Sequence, residues 1–167
     1  MNEANEFIAH FFLFALCHGL KKPKVRLTWE NKKYLIYLSK AGSLCVKVSN
    51  RIGDSNQFGE QSYMGCMREG RWIVNRHREL QDTEQEFLEK LSDDPIDFFA
   101  ECSKQSGTCC YCNKELTDDT SKKFGYGKTC AKNWGLPWSK RDTEEDIRSK
   151  SFEGCYEHIK QFLQLTA

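Results

Sequence analysis

The cysteine spacing near the C-terminal end constrains this chain more than any other feature. Four of the nine cysteines lie between residues 108 and 138, and two of them, Cys109 and Cys112, stand three positions apart. Two thiolates at this spacing on a tight turn can bind the same tetrahedral metal ion. Cys130 follows at the predicted start of a short helix, where the helix dipole favours a thiolate. These three cysteines therefore predict a metal site.

The residues between and after these cysteines predict the local fold. The segment 114–123 has room for a short β-hairpin, and residues 129–134 predict a short helix. Gly135 and Pro137 would end that helix, because glycine is favoured just past a helix C-terminus and proline cannot continue the helix. A metal-binding turn, a hairpin and a helix that carries a ligand together describe a treble-clef-like zinc module.

The fourth ligand is not determined by this motif, because a structural zinc site normally has four protein ligands and the motif supplies three. The main candidates are Cys102, which could fold back from upstream, and the pair Cys155 and His158, which would share one side of a predicted helix. Asp118 is a further candidate. A site with three protein ligands and an open position, as in a zinc enzyme, is an alternative.

Two alternatives to a metal site follow from the same cysteines. They could be reduced core residues, since free cysteine is among the most buried residue types. Cys110, next to Cys109, is expected to pack inward or to remain a spare thiol. A disulfide framework is disfavoured by the odd cysteine count, by the clustering and by the lack of a recognisable signal peptide. We therefore expect a reducing compartment, the cytoplasm.

A longer pattern surrounds the cysteines: a Leu-Thr-Asp sequence, a serine, a Gly-x-Gly and a Trp-Gly-Leu-Pro-Trp tail. Its residues are Cys109, Cys112, Leu116, Thr117, Asp118, Ser121, Gly125, Gly127, Cys130, Ala131, Trp134, Gly135, Leu136, Pro137 and Trp138. This pattern resembles an uncharacterised zinc-binding domain of bacteriophage and bacterial proteins. The resemblance implies a bound zinc ion and a phage origin, with the host cell cytoplasm as the location, and it implies no particular reaction.

The whole chain predicts an α+β fold in four segments. Residues 1–80 predict an N-terminal helix and five short antiparallel strands that form a curled sheet or small open barrel. Residues 81–107 predict an acidic helical connector, 108–138 the zinc module and 139–167 C-terminal helices. The apolar stretch of the first helix is about 12 residues, short of the ~20 that cross a bilayer, so we expect no membrane association.

Basic and aromatic residues are concentrated in the predicted sheet and in the zinc module. The formal net charge is only +1, so binding to a polyanion would depend on local patches. Basic groups can neutralise phosphates while aromatic rings stack on bases. The candidate nucleic-acid contacts are Arg26, Lys33, Arg68, Arg71, Lys128 and Lys132. Strand alternation alone also demands a polar face, so these charges could simply be solvated.

The sequence favours a small zinc-stabilised protein that binds nucleic acid over two other classes. The main alternative is a module that binds or inhibits a host protein, with Trp134 and Trp138 as aromatic anchors. A small zinc enzyme is less favoured, because the sequence contains no P-loop, nucleophile elbow, HExxH motif or zinc-deaminase signature. The partner and the oligomeric state are not determined by the sequence.

Overall fold

The computed structural model describes residues 3–49 and 63–138, and for residues 3–7 it describes the backbone alone. The predicted C-terminal helices over 139–167 lie outside the described residues, and so do the candidate ligands Cys155 and His158. The described part combines helices with one antiparallel sheet, which confirms the predicted mixed α and β composition.

Five strands form an open sheet in which each strand pairs with its neighbours in sequence. The strands are β1 (Lys24–Trp29), β2 (Lys32–Leu38), β3 (Leu44–Ser49), β4 (Tyr63–Arg68) and β5 (Arg71–Val74). Two-residue turns at Glu30–Asn31 and Glu69–Gly70 have positive φ at both positions. Such turns match the twist of the strands that they join, which keeps β1–β2 and β4–β5 in register.

Five helices accompany the sheet in the described ranges. They are α1 (Glu3–Cys17), α2 (Asp82–Asp93), α3 (Pro95–Ser106), α4 (Asp119–Phe124) and α5 (Lys128–Trp134). Helices α2 and α3 lie in the segment predicted as an acidic helical connector, and Asp94 caps α3 by accepting a hydrogen bond from the N–H of Asp97 at 3.3 Å. No helix in the described part of the chain is long and apolar enough to span a bilayer.

The hairpin predicted over 114–123 is wrong, because the second half of this segment belongs to helix α4. Thr108 and Glu115 form only an isolated bridge. Asp118 begins the helix: its carboxylate accepts from the backbone N–H of Ser121 at 2.9 Å and from the Ser121 hydroxyl at 2.6 Å. Gly125 ends it in the left-handed conformation. These caps outweigh the weak strand signal of a short polar segment.

One hydrophobic core joins the sheet to the helices that precede it and follow it in the chain. Tyr34 on β2 stacks on Phe87 of α2, with ring centroids 3.7 Å apart. Phe12 of α1 meets Trp134 of α5 edge to face, with centroids 5.0 Å apart. Residues from the segments 1–80, 81–107 and 108–138 therefore bury their apolar side chains against one another.

A buried carboxylate fixes the acidic connector on the sheet. Glu84 of α2 is fully buried and forms ion pairs with Arg78 and with Lys32, whose Nζ lies 3.4 Å from the carboxylate. Burial of a charge is tolerated only when it is paired and hydrogen-bonded. This part of the acidic connector thus lies against the basic sheet.

We expect Glu84→Gln to lower the free energy of unfolding by about 3 kcal/mol, because it leaves two largely buried cations without their counter-ion. Glu86→Gln is the matched control, since Glu86 lies on the same helix and is exposed. Urea denaturation of both variants followed by circular dichroism measures the difference. Equal stability of the two variants would show that the pair contributes nothing to the fold.

Gly125 allows α4 to approach α3 closely. Its φ is 86°, and a Cβ atom at this position would lie 2.6 Å from the carbonyl oxygen of Ala100. We expect Gly125→Ala to cost about 2 kcal/mol of stability, from backbone strain and from this clash. Gly127→Ala, where a Cβ meets nothing within 4 Å, should cost less than about 1 kcal/mol. Thermal denaturation measures the stability of both variants. If Gly125→Ala is as stable as Gly127→Ala, the close packing of α3 and α4 is contradicted.

Candidate metal centre

A tight turn over residues 109–114 carries two of the cysteines. The N–H of Cys109 donates to the carbonyl of Lys114 at 2.8 Å, and the N–H of Asn113 donates to the carbonyl of Cys109 at 2.8 Å. Asn113 has a φ of 60°, a left-handed conformation that asparagine tolerates better than most residues. The turn brings the side chain of Cys112 back towards that of Cys109, as the spacing predicts.

The third cysteine lies in the first turn of α5, as expected. The N–H of Ala131 donates to the carbonyl of Gly127 at 2.9 Å, and Gly135 ends the helix in the left-handed conformation. The predicted short helix is therefore confirmed, with a start one residue earlier. Ala131 and Trp134 face the core, so α5 has a fixed orientation that turns Cys130 towards the cysteine turn.

Cys109, Cys112 and Cys130 form one cluster whose three sulfur atoms lie within 4.8 Å of one another. A tetrahedral ion with Zn–S bonds of about 2.3 Å separates its sulfur ligands by about 3.8 Å, so small side-chain rotations would close the cluster around an ion. Cys109 and Cys130 are buried and Cys112 is exposed. The three cysteines could thus hold a metal ion.

The electrostatics of the cluster favour a thiolate at Cys109. The Cys130 thiol donates to this sulfur, and backbone groups of Cys112, Tyr111 and Gly127 also hydrogen-bond to it, so that the pKa of Cys109 falls to about 5 although burial opposes the shift. The same interaction, together with burial, raises the pKa of Cys130. A thiolate that already accepts several hydrogen bonds suits a metal ion, which would replace the Cys130 proton.

Neither Cys102 nor Asp118, the predicted fourth ligands that lie among the described residues, joins this cluster. Cys102 is buried on α3 and is not a member of the three-sulfur group; burial raises its pKa to about 12, which disfavours a free thiolate. Asp118 borders the same cleft, but its carboxylate caps α4. Among the described residues the site therefore has three ligands, and the other predicted candidates lie beyond residue 138.

Cys110 packs inward, as expected for a residue adjacent to a ligand. Its N–H donates to the hydroxyl of buried Ser103 at 3.1 Å, and its carbonyl accepts from the N–H of Arg26 at 2.9 Å. The first contact reaches α3 and the second reaches β1. The peptide groups on either side of the Cys110 side chain thus attach the cysteine turn to both the connector and the sheet.

A cleft of about 530 Å³ borders the cysteine cluster. Its wall includes all three cysteines together with Lys128, Asn133 and Trp138. Because Cys112 is exposed, one side of the cluster faces this open space. A ligand from solvent or from elsewhere in the chain can reach the cluster from that side.

The candidate nucleic-acid contacts are distributed over the sheet and α5. Arg26 on β1 and Lys33 on β2 are half-buried, whereas Arg68 and Arg71 are exposed on either side of the β4–β5 turn. Lys128 and Lys132 are exposed one helical turn apart on α5. All six lie where solvent reaches at least part of the side chain.

The two candidate anchors for a protein partner differ in exposure. Trp134 is only 2% exposed and contacts Phe11 and Phe12 of α1, so the prediction that it is a surface anchor is wrong. Its helical position places it on the inner face of α5. Trp138 is partly buried and stacks on Phe124 with centroids 5.7 Å apart, at the edge of the cleft.

The structure thus contains a three-cysteine cluster that could hold a metal ion. The cluster lies in a module that packs against an antiparallel sheet. Residues 103–135 are similar to a family of unknown function (DUF6011). The match begins on α3, contains all three cysteines and ends at the C-cap of α5. This match agrees with the predicted resemblance to an uncharacterised family. The description of the family names no metal, reaction or source organism. No curated protein and no solved structure matches the chain.

We expect one metal ion per chain, lost when Cys109, Cys112 or Cys130 is replaced by serine. Each substitution should weaken Co²⁺ or Zn²⁺ binding by more than about a hundredfold, because it removes a direct ligand. Cys110→Ser is the matched control, since it changes an adjacent thiol that is not in the cluster. Sulfur-to-cobalt charge-transfer absorption and native mass spectrometry measure the binding. Retention of metal by the Cys112 or Cys130 variant would contradict the three-ligand assignment.

Proposed function

We propose that this protein is a small, zinc-stabilised, phage-encoded protein that binds nucleic acid through its basic sheet and its lysine-rich module. The observation that carries the proposal is the charge of the strands. They contain no aspartate or glutamate, and they contain Lys24, Arg26, Lys32, Lys33, Lys47, Arg68 and Arg71. In a chain with a net charge of +1, this is a local concentration of positive charge.

The arrangement of two of these cations supports a polyanionic partner. Arg68 and Arg71 are directly opposite each other on β4 and β5, and both are exposed. Like charges in this relation destabilise an antiparallel pair unless a counter-ion neutralises them. A phosphate group supplies such a counter-ion, and the planar guanidinium groups can bind it through paired hydrogen bonds.

The zinc module adds positive charge near the cysteine cluster. Exposed lysines lie on α4 and α5, at Lys122, Lys123, Lys128 and Lys132. In this proposal the metal ion is structural: its chemistry when bound is to hold Cys109, Cys112 and Cys130 together, and so to fix α5 and its lysines. The residues of the chain make the contacts with phosphate.

A protein partner is the second candidate, and one observation favours it. Ile73 and Val74 of the edge strand β5 are exposed, at 49% and 40%, and Trp138 remains partly accessible beside the cleft. Exposed apolar side chains of this kind can anchor a protein interface. The partner would be a protein of a bacterial host. Its binding would rest on apolar contacts, whose strength depends little on salt.

The salt dependence of binding distinguishes the two candidates. We expect affinity for a short fluorescent oligonucleotide to fall steeply with salt, and Arg71→Glu to reduce the slope of log K against log[salt] by about 1. Lys90→Glu is the matched control, since it makes the same charge change at an exposed position on α2, away from the sheet. Fluorescence anisotropy over a salt series measures both variants.

If no oligonucleotide binds, or if Arg71→Glu and Lys90→Glu have the same effect, the nucleic-acid proposal fails. A captured host protein whose affinity is unchanged by salt and lost on Trp138→Ala would establish the second candidate.

A further inference from the structure

The face of the sheet that points away from the core is organised in cross-strand rows. One row consists of Lys24, Tyr37, Cys45, Cys66 and Ile73, and the next consists of Arg26, Leu35, Lys47 and Tyr63. Successive residues in a strand point to opposite faces, and the neighbours Val25, Ile36 and Val46 fill the core. Basic and aromatic side chains thus share the outer face, and no strand residue there is acidic.

Two cysteines on this face are unexpectedly well covered. Cys45 and Cys66 are only 5% and 7% exposed, although they point away from the core. Tyr37 is directly opposite Cys45 across β2 and β3, and Tyr63 lies on the same face in the neighbouring row, directly opposite Lys47. Both tyrosines are half-buried, so aromatic surface next to the two thiols remains partly accessible.

The Tyr37 ring contacts a cation on the same face of the sheet. The ammonium group of Lys47 lies 5.3 Å from the centroid of the Tyr37 ring, so this ring is within reach of a cation from its own face of the sheet. Nearby, the Nε atom of Arg26 is buried and has no hydrogen-bond partner in the described part of the chain. The face thus combines aromatic platforms with a donor that lacks an acceptor.

We propose that this outer face binds a single strand of nucleic acid, with bases stacked on Tyr37 and Tyr63 and phosphates bound by the surrounding cations, Arg26 among them. The inference rests on the proposed function and specifies its substrate class. Bases of a single strand are free to stack on aromatic rings. Bases of a duplex stack on one another, and reading them requires an element that enters a groove, which single tyrosine side chains on an open sheet do not provide.

The size of the face suits a short segment. Five strands about 4.8 Å apart span about 19 Å, which accommodates a few nucleotides. Cations lie along both edges of the platform, with Lys24 and Arg26 on β1 and Arg71 on β5. A strand that crosses from β1 to β5 would meet positive charge, then the tyrosines, then positive charge again.

The test compares single-stranded and duplex oligonucleotides with tyrosine variants of the full chain. Fluorescence anisotropy is measured with oligothymidylate, with oligouridylate and with a duplex of equal length. We expect the single strands to bind at least about tenfold more tightly than the duplex, and Tyr37→Leu and Tyr63→Leu each to weaken single-strand binding about tenfold. Tyr37→Phe and Tyr63→Phe are the matched controls: they keep the ring, and should stay within about twofold of wild type.

The outcomes distinguish this inference from the proposed function on which it rests. Duplex that binds as tightly as single strand overturns the inference and leaves nucleic-acid binding in place, while failure of every oligonucleotide to bind overturns both. If the leucine variants are folded, as judged by circular dichroism, and bind single strands as tightly as the wild type, the two tyrosines do not stack on bases. Should the leucine variants not fold, photocrosslinking of bound oligonucleotide to wild-type protein decides: adducts at Tyr37 or Tyr63 support the inference, and adducts only elsewhere overturn it.

Discussion

The peptide groups around Cys110 hold the two halves of this structure together. The N–H of Cys110 binds the Ser103 hydroxyl on α3, and its carbonyl binds the N–H of Arg26 on β1. Because Cys110 lies between Cys109 and Cys112, two members of the cysteine cluster, the shape of the cysteine turn and the position of the sheet edge are mutually dependent. A metal ion held by the cluster would therefore be coupled to the geometry of the sheet.

Opposite charges are segregated within the same small fold. The strands carry only positive charge, whereas the exposed surfaces of α2 and α3 are mostly acidic. Glu84 is where the two meet, fully buried between Lys32 and Arg78. The near-zero net charge thus conceals a strong internal polarity, since the cations of the outer sheet face are on the opposite side of the sheet from the helices packed on its core face.

Local patterns predicted much of the fold, and the errors concern one short polar segment and two side chains whose surroundings depend on residues distant in sequence. Alternation of apolar residues located the strands, and Gly135 correctly ended α5. The hairpin predicted over 114–123 is wrong because the Asp118 carboxylate caps α4 through Ser121, which favours helix in the second half of this segment. The interior position of Trp134 depends on α1, more than a hundred residues earlier, and no local pattern contains that contact. Cys102 likewise fits the spacing of a ligand, yet α3 directs it into the core.

The burial of Trp134 beneath α1 has a consequence for the matched segment as a whole. Residues 103–135 do not enclose their own hydrophobic interior, because Phe11 and Phe12 complete it from the far end of the chain. The segment is therefore not an independent folding unit. Separated from the rest of this chain, residues 103–135 would leave Trp134 open to water, so the segment needs an apolar surface such as that of α1 in order to fold.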